Sequence, residues 1–190
     1  MKLQMKSIAV YSGSFNPLHI GHLAIMKTLA ESFDKVCLVV SPRNPLKESA
    51  TAGDAPARLE AAVKALARHP ELSGKVEVSD IEFRLGEPNY TIRTLDALKE
   101  ENPDCGFTLT VGADQLDDFR RWKDYCRILT EYGVVAFPRE GFDLEQIAED
   151  LLKENRRYRI RTVNMPLVQV SSSQIRRILA DGLSASELMM

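Results

Sequence analysis

Cysteine, histidine and tryptophan are scarce in this chain, and the scarcity excludes several classes of protein. Three cysteines among 190 residues form an odd set with no Cys-x-x-Cys spacing. That argues against a framework of disulfides and for reduced thiols in a cytoplasmic protein, with Cys37 reading as core filler. Long apolar runs are missing too: the longest covers residues 36–40, far short of the roughly 20 residues that span a bilayer. Residues 1–6 carry charge but are not followed by the apolar stretch of a signal peptide. The formal net charge of −2 gives no general attraction for nucleic acid or an anionic membrane, so an anionic substrate needs locally gathered positive groups. Neither Gly-x4-Gly-Lys-[Ser/Thr] nor Gly-x-Gly-x-x-Gly occurs, which closes the usual ATPase and dehydrogenase routes. Low-complexity segments and internal repeats are also absent. What remains is ordinary for a globular protein, 44% hydrophobic and 27% charged residues, and the length suits one domain over residues 1–190 with a substantial core.

Against that background, residues 12–22 stand out. Ile8-Ala9-Val10-Tyr11 reads as a buried strand, and Leu23, Ile25, Met26, Leu29 and Ala30 recur with helical spacing. The polar loop between them joins a strand's carboxyl end to a helix start, where unpaired N–H groups and the positive helix end favour an anion. His19 and His22 are three apart and share one side of the first helical turn. Gly21 between them offers no side chain, so a phosphate can approach the backbone. Turn chemistry and an N-cap are the plain alternative. A metal reading is open as well, since His-x-x-His at helical spacing can place two imidazoles on one ion, although no further ligand accompanies them.

Further along, residues 35–41 form a continuous apolar run suited to a central parallel strand, followed by a proline-stiffened loop carrying Lys47. Residues 55–68 have a helical pattern with Leu59, Ala62, Val63 and Leu66 on one face. Arg58 on its first turn reads equally as a surface residue and as a substrate contact. Val76 and Val78 alternate as a short strand, which residues 81–85 continue or pair beside. Thr91 reads as the N-cap of a helix marked by Ile92, Leu95 and Leu98. Residues 107–111 alternate as a strand that breaks at Gly112-Ala113-Asp114. A carboxylate there suits ribose hydroxyls, with helix capping as the alternative. Trp122, the one tryptophan, lies among charges and either stacks on a flat heterocycle or packs half-buried. Residues 134–137 read as another buried strand, 144–152 as a helix, and 158–163 as a late edge strand with outward arginines. Ser171, Ser172 and Ser173 then open a helix over 174–180, offering hydroxyl and amide donors with Arg176 one turn inside. Residues 183–190 would begin a closing helix.

The run Gly13-Ser14-Phe15-Asn16-Pro17-Leu18-His19-Ile20-Gly21-His22 resembles the first signature of the nucleotidylyltransferase superfamily, in the form found in nicotinate-nucleotide adenylyltransferases. Val170-Ser171-Ser172-Ser173-Gln174-Ile175-Arg176 is similar to the second signature of that superfamily. Tyr90-Thr91-Ile92-Arg93-Thr94-Leu95, and Gly112-Ala113-Asp114-Gln115-Leu116 followed by Trp122, resemble segments of the same branch. The resemblance implies an α/β, Rossmann-like three-layer fold with a mainly parallel sheet. It also implies adenylyl transfer from ATP to nicotinate mononucleotide in NAD biosynthesis. On this reading His19, His22, Lys47 and Arg176 are catalytic. Gly13, Ser14, Phe15, Gly21, Gly112, Asp114, Ser171, Ser172 and Ser173 bind ATP, and Tyr90, Thr91 and Trp122 bind the mononucleotide. Mg2+ is expected on the ATP phosphates, because the motifs offer no all-protein cage. A pantetheine-phosphate adenylyltransferase, a cytidylyltransferase, a non-catalytic nucleotide sensor and a metal-dependent hydrolase are the competing readings.

Overall fold

The fold is taken from a computed structural model that describes residues 5–42, 55–166, 168 and 170–190. Six strands follow the order β3-β2-β1-β4-β5-β6: β1 (Lys6–Gly13), β2 (Lys35–Val40), β3 (Val76–Ser79), β4 (Cys105–Gly112), β5 (Val134–Phe137) and β6 (Ile160–Thr162). Every pairing with a described register is parallel. A parallel strand covered on both faces needs apolar side chains on both. Val36, Leu38, Val39 and Val40 of β2, and all four residues of β5, are accordingly buried. At the edge, β6 keeps Arg161 exposed, as the sequence predicts for a strand facing solvent on one side.

The chain divides into two compact units, Met1–Tyr11 with Tyr90–Leu167, and Ser12–Asn89 with Val168–Met190. In the first, Lys6 to Tyr11 of β1 lie parallel to β4, and α4 (Thr91–Glu101) packs on β4 through buried Ile92, Leu95 and Leu98. α5 (Ala113–Asp117) leaves the carboxyl end of β4, α6 (Tyr125–Arg127) leads into a π turn, and α7 (Leu144–Glu154) packs against β6 and α5. Asp143 caps α7, its carboxylate accepting from the Gln146 amide at 3.1 Å.

In the second unit, α1 (Ile20–Ser32) and α2 (Ala55–Ala67) pack on β2, with α2 also touching β3. α8 (Ser172–Ala180) begins at the serine run. Three expectations need correction here. Residues 81–85 form a short helix, α3 (Ile81–Leu85), not a strand. Five alternating residues fit either period, and Gly86 at φ +67° stops the helix. On α2 the buried residues are Arg58, Ala62 and Ala65, while Val63 is exposed; burial of Arg58 turns the inward face away from the apolar stripe. Residues 183–190 form no helix. Their last residues instead lie beside the start of α1: the Ile20 amide donates to the Leu188 carbonyl at 3.0 Å, and His19 bridges Met189 in antiparallel fashion. Arg68 at the end of α2 donates to the Met190 carbonyl at 3.2 Å.

Candidate active site

The loop after β1 is held from several sides within its own unit. His19 is the N-cap of α1, and its Nδ1 accepts from the Gly21 amide at 3.2 Å. His22 reaches back so that its Nδ1 accepts from the His19 amide, also at 3.2 Å. This is a capping box built from two imidazoles in place of Ser and Glu. A ring nitrogen that accepts cannot carry a proton, so each neutral ring holds its proton on Nε2. The caps thus fix the tautomer, with the proton of each neutral ring on Nε2. The rings stack with centroids 3.7 Å apart, and the Phe15 ring stands edge-on to His22 at 5.2 Å. His19 is buried and His22 half-buried.

Gly21 and Gly13 are small for packing reasons. A Cβ at Gly21 would lie 3.0 Å from the His19 ring, and one at Gly13 would lie 3.0 Å from the Phe15 ring. Phe15 is buried at φ +44°, and Ser14 beside it is exposed.

The second motif meets this same loop. Ser172 Oγ donates to the Pro17 carbonyl at 3.0 Å, and Arg176 Nη1 to the Asn16 carbonyl at 2.6 Å. Arg176 Nη2 donates to Ser173 Oγ at 2.9 Å. Ser171 caps α8, its Oγ accepting from the Gln174 amide at 3.2 Å. Residues 155 and 160 positions apart in the chain are therefore hydrogen-bonded within three residues of His19. Two helix N-termini, of α1 and of α8, adjoin the residue 16–17 backbone. Two imidazoles, three serines and a guanidinium gather there, side chains whose chemistry suits anionic oxygen.

Lys47 lies outside the described residues. Asp114 is on the first turn of α5, where Gly112 is the N-cap, and its carboxylate pairs with Arg139 Nε at 3.4 Å. A Cβ on Gly112 would fall 2.4 Å from Asp114 Oδ1 and 2.8 Å from Arg139 Nε. A side chain at 112 would push the ends of that pair aside over the strand end. Burial holds the nearby Tyr11 phenol well above its ordinary value, with Arg139 opposing and Asp114 adding to the shift. Tyr90, not Thr91, is the N-cap of α4; Tyr90 is exposed and Thr91 half-buried on the first turn. Trp122 is half-buried with one face stacked on Phe119 at 4.7 Å.

Sequence reasoning passed over two residues that the structure brings forward. Arg139 follows β5 and pairs with Asp114, a proximity that no local spacing encodes. Asn89, before α4, buries a side-chain amide whose nitrogen and oxygen find no partner among the described residues, as expected of a group that meets water or ligand. Neighbouring Tyr90-Thr91 was the available signal. Among the described residues no group of three or more His, Cys, Asp or Glu is placed to hold a metal ion.

The cytidylyltransferase-like family model matches residues 10–178. A protein of Flavobacterium johnsoniae named "probable nicotinate-nucleotide adenylyltransferase" is 35% identical over 184 residues, covering 96% of this chain and 91% of that protein. One of Bacteroides fragilis with the same name is 38% identical, covering 91% and 82%. The chain belongs to the cytidylyltransferase-like family, in its nicotinate-nucleotide adenylyltransferase branch. Its fold is also that of the Plasmodium falciparum nicotinic acid mononucleotide adenylyltransferase, solved in complex with NaAD. That structure superposes with a TM-score of 0.78 at 19% identity, over 96% of this chain and 88% of the other. Both signatures that define the family reading, at residues 13–22 and 170–176, lie within the matched span.

Proposed function

We propose that this protein transfers the adenylyl group of ATP to nicotinate mononucleotide, giving deamido-NAD and pyrophosphate in NAD biosynthesis. The observation that carries the reading is the hydrogen bonding of Ser172 and Arg176 to the backbone of residues 16–17, beside the two histidines. In the reaction a phosphate oxygen of the mononucleotide attacks the α-phosphorus, the bond from that phosphorus to the bridging oxygen of the β-phosphate breaks, and pyrophosphate departs. A phosphate monoester with a second pKa near 6 is largely dianionic at neutral pH, so the nucleophile needs no general base. The protein's work is placement and charge stabilisation.

His19 and His22 would give their Nε2–H donors to the α- and β-phosphates. Arg176, Ser172 and Ser173, with Lys47, would hold the leaving pyrophosphate; the two bonds Arg176 makes use two of its five N–H donors. Gly13, Ser14, Phe15, Gly21 and Ser171 shape the ATP phosphate cradle, and Gly112 and Asp114 take the adenosine ribose. Tyr90 and Thr91 contact the pyridine carboxylate, and the Trp122 face turned from Phe119 stacks on the pyridine ring. Among the described residues the cradle offers donors and no oxygen cage, so Mg2+ fits as an ion carried by the ATP phosphates, where it would supply further charge neutralisation. All three cysteines are thiols, which fits a cytoplasmic enzyme. No helix among the described residues is long and apolar enough to cross a membrane.

A coupled pyrophosphate assay tests the reading. ATP with nicotinate mononucleotide is expected to give rapid pyrophosphate release, measured beside nicotinamide mononucleotide and phosphopantetheine as acceptors and CTP as donor. Release only with phosphopantetheine or only with CTP would replace the assignment. ATP binding without pyrophosphate from any acceptor would make the protein a sensor.

A further inference from the structure

Arg58 is a buried cation whose position the phosphate chemistry does not explain. It sits on the first turn of α2 and is only 7% exposed. Its Nη1 donates to two backbone carbonyls, Ser14 at 2.5 Å and Ser41 at 2.9 Å, and its Nη2 donates to Pro42 at 2.9 Å. Ser14 belongs to the loop that leaves β1. Ser41 and Pro42 belong to the segment that leaves β2. The two strand exits are also joined directly, since the Ser41 amide donates to the Gly13 carbonyl at 2.8 Å.

Burying a guanidinium costs several kcal/mol unless hydrogen bonds compensate it, and a chain needing only to fill this space would use an aliphatic residue. An arginine earns its place by geometry: its planar fork reaches carbonyls on two separate segments at once, which a lysine's single ammonium on a flexible stem does not reproduce. The Ser14 carbonyl lies between Gly13 and Phe15 in the chain, and those of Ser41 and Pro42 directly follow β2.

We propose that Arg58 is a positioning residue that clamps the exits of β1 and β2 at a fixed spacing, and so sets the geometry in which the ATP triphosphate is held. On this proposal it acts without touching a reacting atom. Its effect reaches the reaction through the backbone of Ser14, Ser41 and Pro42, where a misplacement of about 1 Å is worth roughly a hundredfold in rate. This inference rests on the adenylyltransferase reading, and its test separates the two.

The test compares wild type with Arg58→Lys, Arg58→Gln and Arg58→Ala by circular dichroism, melting temperature, ATP affinity by calorimetry, and steady-state kinetics. Failure of wild type to turn over nicotinate mononucleotide would overturn the reaction, whereas ATP affinity of the variants tests the clamp whatever the acceptor. Expected for folded Arg58→Lys is ATP bound about tenfold more weakly and kcat lowered about tenfold to a hundredfold, with KM for nicotinate mononucleotide within twofold of wild type. Added methylguanidinium should recover part of the activity of Arg58→Ala and none of Arg58→Gln, whose side chain fills the space. Folded lysine and glutamine variants with ATP affinity and kcat within threefold of wild type would overturn the proposal. So would losses that vanish once rates are divided by the folded fraction.

Discussion

On the proposed function the imidazoles at the start of α1 do two jobs with different atoms. Nδ1 of each ring caps the helix, and on the proposed reading Nε2 would give its proton to a phosphate oxygen. Substitutions can part the two. In asparagine the side-chain oxygen falls near the place of Nδ1, and asparagine is among the best N-caps. His19→Asn should therefore melt close to wild type while losing about 3 to 4 kcal/mol of transition-state stabilisation, a hundredfold to a thousandfold in kcat. His19→Ala should lose both, with a further cost of about 1 kcal/mol in stability from the missing cap. Melting curves beside kcat for the pair check this, and equal activity in His19→Asn and wild type would remove the ring from the phosphate. A second residue-scale expectation concerns alkaline pH. Burial, reinforced by Asp96, which accepts from the Tyr132 hydroxyl at 2.6 Å, holds that phenol well above its ordinary value of about 10. The folded state thus keeps a proton the unfolded chain gives up. The associated stability is intact below pH 10 and is lost as pH rises toward the folded value. Tyr132→Phe should flatten that alkaline loss in denaturant melts, while costing about 1.5 to 3 kcal/mol at neutral pH, the range for a hydrogen bond to a charged group.

At the scale of elements, the strand ends are where chemistry and packing compete for space. Gly112 ends β4 beneath the Asp114–Arg139 pair. Gly112→Ala should displace the carboxylate and weaken ATP binding about tenfold to a hundredfold, equal to loss of a charged hydrogen bond; unchanged affinity by calorimetry would free Asp114 from the ribose. The strands themselves were readable from sequence, because doubly covered parallel strands need the apolar runs of residues 36–40 and 134–137. The pairing of His19 with His22 on one turn followed from spacing alone. Their use as caps did not, since a three-residue spacing does not say which ring nitrogen faces the backbone. α3 was missed because five residues carry too little periodicity to separate helix from strand. Arg58 was left open because its burial depends on carbonyls of Ser14, Ser41 and Pro42, up to 44 positions distant. The tail of the chain was misread as a helix for the same reason: Leu188 and Met189 find partners at Ile20 and His19, and a long-range partner overrides a weak local preference.

For the whole molecule, the connectivity matters more than the composition. Each compact unit is assembled from two separated stretches, and the chain passes between units after Tyr11, after Asn89 and after Leu167. A cut after Asn89 leaves no piece with a complete unit. Residues 90–190 alone lack the strand that lies against β4 from Cys105 to Thr110 and expose that ladder edge. That fragment should be insoluble when expressed alone and recover solubility when residues 1–89 are co-expressed, read as soluble yield and far-ultraviolet circular dichroism. A folded, soluble 90–190 fragment would contradict this. The stack of Trp122 on Phe119 has an optical corollary. With one tryptophan in 190 residues, the indole emission of the entire protein originates beside that ring pair. On the proposed assignment, a pyridine nucleotide laid on the indole face turned from Phe119 quenches this light while ATP alone leaves it bright, so the order in which the two substrates arrive can be timed by stopped flow without any attached dye.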